Sequence, residues 1–154
     1  MPRPLVGIIG SGKPTPSGYQ AARQVGKLLA EQGLAVVCGG LEGIMAAASR
    51  GCSEAGGTVI GLLPGAESVE GNPYLTYALP TNLGHARNVL IAHASYAVIA
   101  VEGEYGTLSE IAISLKLGRT VVGLGCPWDI PGLKSVDNAP DAVEAVTATL
   151  KGLV

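Results

Sequence analysis

The chain has 154 residues, 47% hydrophobic and only 14% charged, with a formal net charge of -2 and three cysteines. That length sets one domain, 1–154, able to bury a core without disulfide or metal staples. A near-neutral chain without a basic patch speaks against nucleic acid, the absence of a CxxC pair speaks against a zinc site or disulfide framework, and no apolar stretch reaches the roughly 18 residues of a membrane span.

Strand-like and helix-like segments alternate from end to end, the signature of a parallel sheet. Leu5–Ile9 is a short apolar run that stops at Gly10-Ser11-Gly12, and residues 18–32 read as helix with Ala22, Val25, Gly26 and Leu29 on one face. A second strand, 34–38, runs into Gly39-Gly40-Leu41-Glu42-Gly43, and the next helix carries Ile44, Ala47, Ala48, Cys52 and Ala55 on one face. Residues 58–62 form a third strand. The stretch 64–73, rich in Gly, Pro and Glu, is a lid or an edge, and 74–79 a short fourth strand. Gly84 opens a helix through Ala94, and 96–101 is the most continuously apolar strand. A helix from Gly106-Thr107 carries Leu108, Ile111, Ala112 and Leu115 on one stripe. Residues 120–124 form a sixth strand, 125–140 read as irregular, and Asp141 caps a last helix with Val143, Val146 and Leu150 facing inward. With no Phe, the core is built from Val, Ile, Leu and Ala. The fold class is α/β: a three-layer, Rossmann-like arrangement with a mostly parallel sheet flanked by helices. The start of the chain lacks the longer apolar region of a signal peptide, so a cytoplasmic location with no membrane partner is expected.

The chemistry-bearing residues fall where strands pass into helices. Gly10-Ser11-Gly12, Gly39-Gly40 and Gly103 with Gly106 each end a strand, and in doubly wound sheets such turns line the ligand edge. Glycine lets the backbone approach a ligand, and the first amides of each helix point outward as an anion site. Tight turning alone would also explain any one of these glycines. Neither a Walker A motif nor a complete dinucleotide fingerprint is present. Arg87, beside Asn88, falls in the first turn of a helix, where a cation opposes the helix dipole; a surface salt bridge and an anionic ligand are equally good reasons. Thr107 caps its helix or offers a hydroxyl to phosphate. Glu110 contacts a sugar, stabilises a developing cation, or is a solvated first-turn acid. His85 and His93 read as structural, and the three thiols as buried and inert.

Gly39-Gly40-Leu41-Glu42-Gly43-Ile44-Met45, Ala86-Arg87-Asn88 and Tyr105 to Ala112 together resemble the LOG-like (lysine-decarboxylase-like, SLOG) superfamily, most closely the short branch that includes the molybdenum cofactor carrier proteins. The enzymes of that superfamily carry a P-G-G-x-G-T-x-x-E loop and hydrolyse the N-glycosidic bond of nucleoside 5′-monophosphates. The resemblance implies that the loop amides at Gly103 and Gly106, with Thr107, hold phosphate; with the sheet-edge turns, the expected ligand contacts are Gly10, Ser11, Gly12, Gly39, Gly40, Gly43, Asn88, Gly103, Gly106 and Thr107. It gives Arg87 a binding role too, with Arg87 and Glu110 catalytic if the chain is a hydrolase. It also implies a homodimer or homotetramer formed through helices beside the site. This loop departs from the enzymes': Glu102 stands at their Pro and Glu104 at a Gly. Two unit charges 6 Å apart repel by about 2.8 kcal/mol at an effective dielectric of 20. Either these side chains point away, with Lys13 offsetting some charge, or phosphate sits mainly at Gly10-Ser11-Gly12 and Gly39-Gly40. The sequence therefore reads as a binding or carrier protein for a phosphorylated, nucleotide-like molecule, with no required cofactor and molybdenum cofactor as a candidate cargo. The alternatives are a nucleoside 5′-monophosphate phosphoribohydrolase and a nucleotide-sensing module without catalysis.

Overall fold

A computed structural model describes residues 2–151; the outermost ends of the expected 1–154 domain lie outside the described residues. The strands are β1 (Leu5–Gly10), β2 (Ala35–Cys38), β3 (Val59–Leu63), β4 (Tyr77–Pro80), β5 (Ser95–Val101), β6 (Thr120–Leu124) and β7 (Leu133–Val136). They form one sheet in the order β4-β3-β2-β1-β5-β6-β7, every pairing parallel. The helices are α1 (Pro16–Glu31), α2 (Ile44–Glu54), α3 (Arg87–Ala94), α4 (Tyr105–Lys116) and α5 (Ala139–Thr149). None of the described helices is long and apolar enough to cross a membrane.

Period-two alternation within the central strands divides the core into two layers. Val6, Ile8, Ala97, Ile99 and Val101 pack against α1, α2 and α5, together with Ala22, Val25, Leu29, Ile44, Val143 and Val146. Ile9, Val98, Ala100 and Val121 face the other way, onto Ile91 of α3 and Ile111 of α4. Strands buried on both faces are read as continuous apolar runs for this reason. Thr15 starts α1 by accepting the Gly18 N–H at 3.1 Å, with Pro16 in the first turn, where a missing N–H costs nothing. Gly26 and Gly51 bring α1 and α2 into backbone contact: a Cβ at either would collide with the carbonyl of Ala48 or Arg23.

Four expectations are corrected. Residues 125–140 contain a seventh strand, β7, whose exposed Lys134 and Ser135 give it no apolar run to read. Asn138, not Asp141, caps α5; its side chain accepts the Asp141 N–H at 2.9 Å. Ala55 and Ala112 are exposed; α4 buries Ile111 as expected, with Leu115 packed beside it, and turns Thr107 and Ser114 inward as well. Cys38 and Cys52 are buried free thiols, whereas Cys126 is only partly buried.

Candidate functional site

The chain runs outward from β1 to β4 on one side of β1 and from β5 to β7 on the other. The direction of winding thus reverses between β1 and β5, and the loops leaving their carboxyl ends diverge. Ligands of open α/β sheets bind in that crevice. A cavity of about 230 Å³ opens there, on the α3/α4 side. Such a volume lies below the roughly 300–1,000 Å³ of sites that enclose a drug-sized molecule.

Of the residues singled out in the sequence, Gly10, Ser11, Gly12, Gly39, Arg87, Asn88, Gly106, Thr107 and Glu110 line this cavity. Gly40, Gly43 and Gly103 do not; each has positive φ and packs against its own surroundings, Gly40 on Leu63, Gly43 on the Ser11-Gly12 turn and Gly103 on Thr107. Lys13 is exposed and outside the lining. Ile8, Ile9, Met45, Glu104 and the exposed His85 complete the wall. His85 was readable only as an isolated histidine beside the Arg87 motif.

Arg87 begins α3 and is only 8% exposed. Its Nη1 donates to the carbonyls of Gly39, at 2.5 Å, and Leu62, at 2.8 Å. Its Nε is buried without a partner among the described residues. Neither reason offered by the sequence accounts for these two bonds: the guanidinium ties the carboxyl ends of β2 and β3 together beneath the cavity. Burial lowers its pKa, with Glu110 acting in the opposite sense. Glu110 faces it from α4, and burial pushes that carboxyl up to about 7, while the Arg87 charge pulls it down.

A carboxyl whose folded pKa is raised gives stability that is fully present below its unfolded pKa and is lost as pH rises through the folded value. Glu110 therefore makes the protein less stable between about pH 4.5 and 7. Glu110→Gln should flatten that slope, by on the order of 1–3 kcal/mol across the interval. Denaturant midpoints measured at several pH values check it, and parallel profiles for wild type and variant would refute it.

The β5–α4 loop separates its two acids. Glu102 turns away from the cavity toward the start of α1, where its carboxylate accepts the Thr15 N–H at 2.9 Å and the Thr15 hydroxyl at 2.5 Å. Glu104 lines the cavity and forms a capping box for α4: its N–H donates to Thr107 Oγ1 at 3.4 Å, and its carboxylate faces the Thr107 N–H in return. Thr107 is thus the third residue of the helix rather than its cap. The Tyr105 and Gly106 amides ahead of it lack intrahelical partners by position. Across the cavity, the Ser11 N–H donates to Val101 O at 3.3 Å and its carbonyl accepts from Ile44 at 2.9 Å, fixing the Gly10–Gly12 turn between β5 and α2.

Asn72, 5% exposed and outside the cavity lining, is a support of the Gly39–Gly43 turn that the sequence reading missed. Its N–H donates to Gly40 O at 2.8 Å and its Nδ2 to Leu41 O at 3.0 Å. The segment expected as a lid or an edge is therefore strapped to the Gly39–Gly43 turn. Asn72-Pro73 signals a turn and nothing of this long-range contact.

Comparison with known proteins matches residues 3–150 to the SLOG cluster4 family model. The molybdenum cofactor binding protein of the phototrophic bacterium Rippkaea orientalis superposes with a TM-score of 0.91 at 30% identity, over 98% of this chain and 99% of that one. The molybdenum cofactor carrier protein of Chlamydomonas reinhardtii gives 0.88 at 31% identity, over 96% and 99%. The rice cytokinin riboside 5′-monophosphate phosphoribohydrolase LOG is 36% identical over 107 residues, 66% of this chain but only 44% of the rice protein.

Proposed function

The chain belongs to the SLOG cluster4 family, and from that premise we propose that it binds and carries a phosphorylated, nucleotide-like small molecule, with molybdenum cofactor as the leading cargo. The observation that carries this reading is the β5–α4 loop. Glu102 has φ of 54°, which the proline at the start of the enzymes' loop cannot adopt, since its ring holds φ near -65°. A different backbone at the first position of this loop, and Glu104 in the cavity where the enzymes have glycine, both favour binding over hydrolysis. Phosphate would bind at the Gly12 and Gly106 backbones, beside Arg87. The structural neighbours named for molybdenum cofactor support the cargo assignment. A second reading, N-glycosidic hydrolysis, is favoured by one observation: Arg87 and Glu110 share the same cavity.

The test is to incubate the protein with AMP and GMP, follow release of free base, and measure retention of molybdenum cofactor on the same samples. Binding predicts no base and stoichiometric retention. Base release that vanishes in Glu110→Ala would replace the carrier with a hydrolase. A nucleotide-dependent rise in Tm with neither result would make the protein a sensor. Gly106→Ala locates the site. A Cβ there meets no atom within 4 Å, and alanine is preferred to glycine within a helix by roughly 0.5–1 kcal/mol. The variant should hold or raise Tm yet lose at least about ten-fold in ligand affinity, because the methyl group occupies the space beside the amide. Unchanged affinity would remove Gly106 from the site.

We also propose a homo-oligomer. Tyr77 and Leu79 of β4, Leu83, and Val89 and Leu90 of α3 are exposed apolar side chains beside the site. A second copy of the chain would cover them. Leu90→Glu should then yield monomers by light scattering; a wild type that is itself monomeric contradicts the assignment.

A further inference from the structure

The carboxyl edge of the sheet carries a second cleft, on the opposite side of residues 102–104. It measures about 300 Å³, and its walls include Ser17 and Gly18 of α1, Val101 and Val136 at the ends of β5 and β7, and the carboxylates Glu102 and Asp137. Its position is significant. The start of the helix that follows the first strand is where Rossmann-type sheets offer free amides and the positive end of the dipole to an anion. In this chain that position is already filled.

The filling group is the Glu102 carboxylate. It accepts the Thr15 N–H at 2.9 Å and the Thr15 hydroxyl at 2.5 Å, and Thr15 in turn caps α1. Gly18 makes the room: a Cβ at that position would run into the carboxylate. The main chain of Glu102 is held as well, its N–H donating to Leu124 O at 2.9 Å and its carbonyl accepting from Cys126 Sγ at 3.2 Å. A non-glycine residue at φ of 54° is sustained only by surroundings that over-determine it. The side chain it delivers is the charge that α1 would otherwise take from a ligand.

We infer that Glu102 is a specificity-determining residue: its carboxylate acts as a built-in anion at the start of α1, closing the second cleft to phosphate and confining a phosphorylated ligand to the cavity beside Arg87. Asp137, on the far wall, adds to the exclusion. The inference rests on the proposed function for the identity of the ligand, but not for the exclusion itself.

Amide-resolved NMR of the full chain, titrated with inorganic phosphate, tests it in wild type, Glu102→Gly and Glu102→Gln. Glycine accepts the positive φ, and glutamine keeps the shape without the charge. In wild type, phosphate should shift Gly12 and Gly106 and leave Ser17 to Tyr19 unmoved. Glu102→Gly should add shifts at Ser17 and Gly18, with apparent affinity there at least ten-fold above wild type, and Glu102→Gln should fall between. Wild-type shifts at Ser17 to Tyr19, or none there in either folded variant, would overturn the inference. Silence at Gly12 and Gly106 in wild type would instead count against the proposed phosphate site, leaving the exclusion to be decided by the variants.

Discussion

Arg87→Ala should cost about 3–5 kcal/mol of folding stability, the largest loss expected from any single side chain at the site. The guanidinium is buried and donates to two carbonyls, Gly39 O and Leu62 O. Hydrogen bonds to a charged group are worth roughly 1.5–3 kcal/mol each, and a buried carbonyl left without a donor carries its own desolvation penalty. Domains of this kind are stable by only about 5–15 kcal/mol in total, so the variant should melt well below wild type. Arg87→Lys should recover part of the loss, since an ammonium can reach one carbonyl but has no planar fork to hold both. Binding should suffer too, with a phosphorylated ligand losing more than its dephosphorylated analogue. An Arg87→Ala protein with wild-type chemical stability would show that the two carbonyls are satisfied in another way, and equal losses for the two ligands would remove Arg87 from the neighbourhood of the phosphate.

Glu102→Pro, which restores the residue of the hydrolase loop, should destabilise by at least about 3 kcal/mol. Proline cannot take φ of 54° and has no N–H to give to Leu124 O. The variant also loses both bonds from Glu102 to Thr15. Glu102→Gly loses only the side-chain bonds and keeps the backbone, so it should be markedly the milder of the two. Denaturant unfolding of the pair separates backbone conformation from side-chain tie. Should the proline variant prove as stable as the glycine variant, the loop can relax into the hydrolase conformation, and the distinction drawn between carrier and enzyme would lose its main support.

What the sequence revealed follows from which features are local. The central strands were legible because their middles are buried on both faces and form unbroken apolar runs, as in Ala97, Val98, Ile99 and Ala100. The face of α1 was legible because Ala22, Val25, Gly26 and Leu29 repeat at helical spacing, and all are buried. β7 was not, since an edge strand with Lys134 exposed has neither alternation nor an apolar run. The edge of the inward face of α4 was not legible: Ile111 and Leu115 pack inward as their spacing suggests, but the helix also buries Thr107 and Ser114 while exposing Ala112, the reverse of what hydrophobicity suggests. At the site, glycine-ended strands and the Arg87 and Glu110 motifs pointed to one sheet edge. The bonds that give these residues their behaviour span the chain: Glu102 to Thr15, Arg87 to Gly39, Asn72 to Leu41. No periodicity or local spacing encodes such pairs: the sequence offers an outward turn of Glu102 as one alternative but not its partner Thr15, and it carries no signal for the strut at Asn72.

The placement of β1 between β2 and β5 sets a timetable for synthesis. One edge of β1 is covered as soon as β2 has been made, but its other neighbour begins only at Ser95. A ribosome adds about 5–20 residues per second, so that edge stays open for roughly 4–17 s on each nascent chain. Throughout that interval a row of unpaired amides and carbonyls, flanked by Val6, Ile8 and Ile9, is available to any passing strand. Slowed translation between α2 and β5 would lengthen the exposure, so aggregation in the cell would depend on elongation rate as well as on the stability of the finished protein.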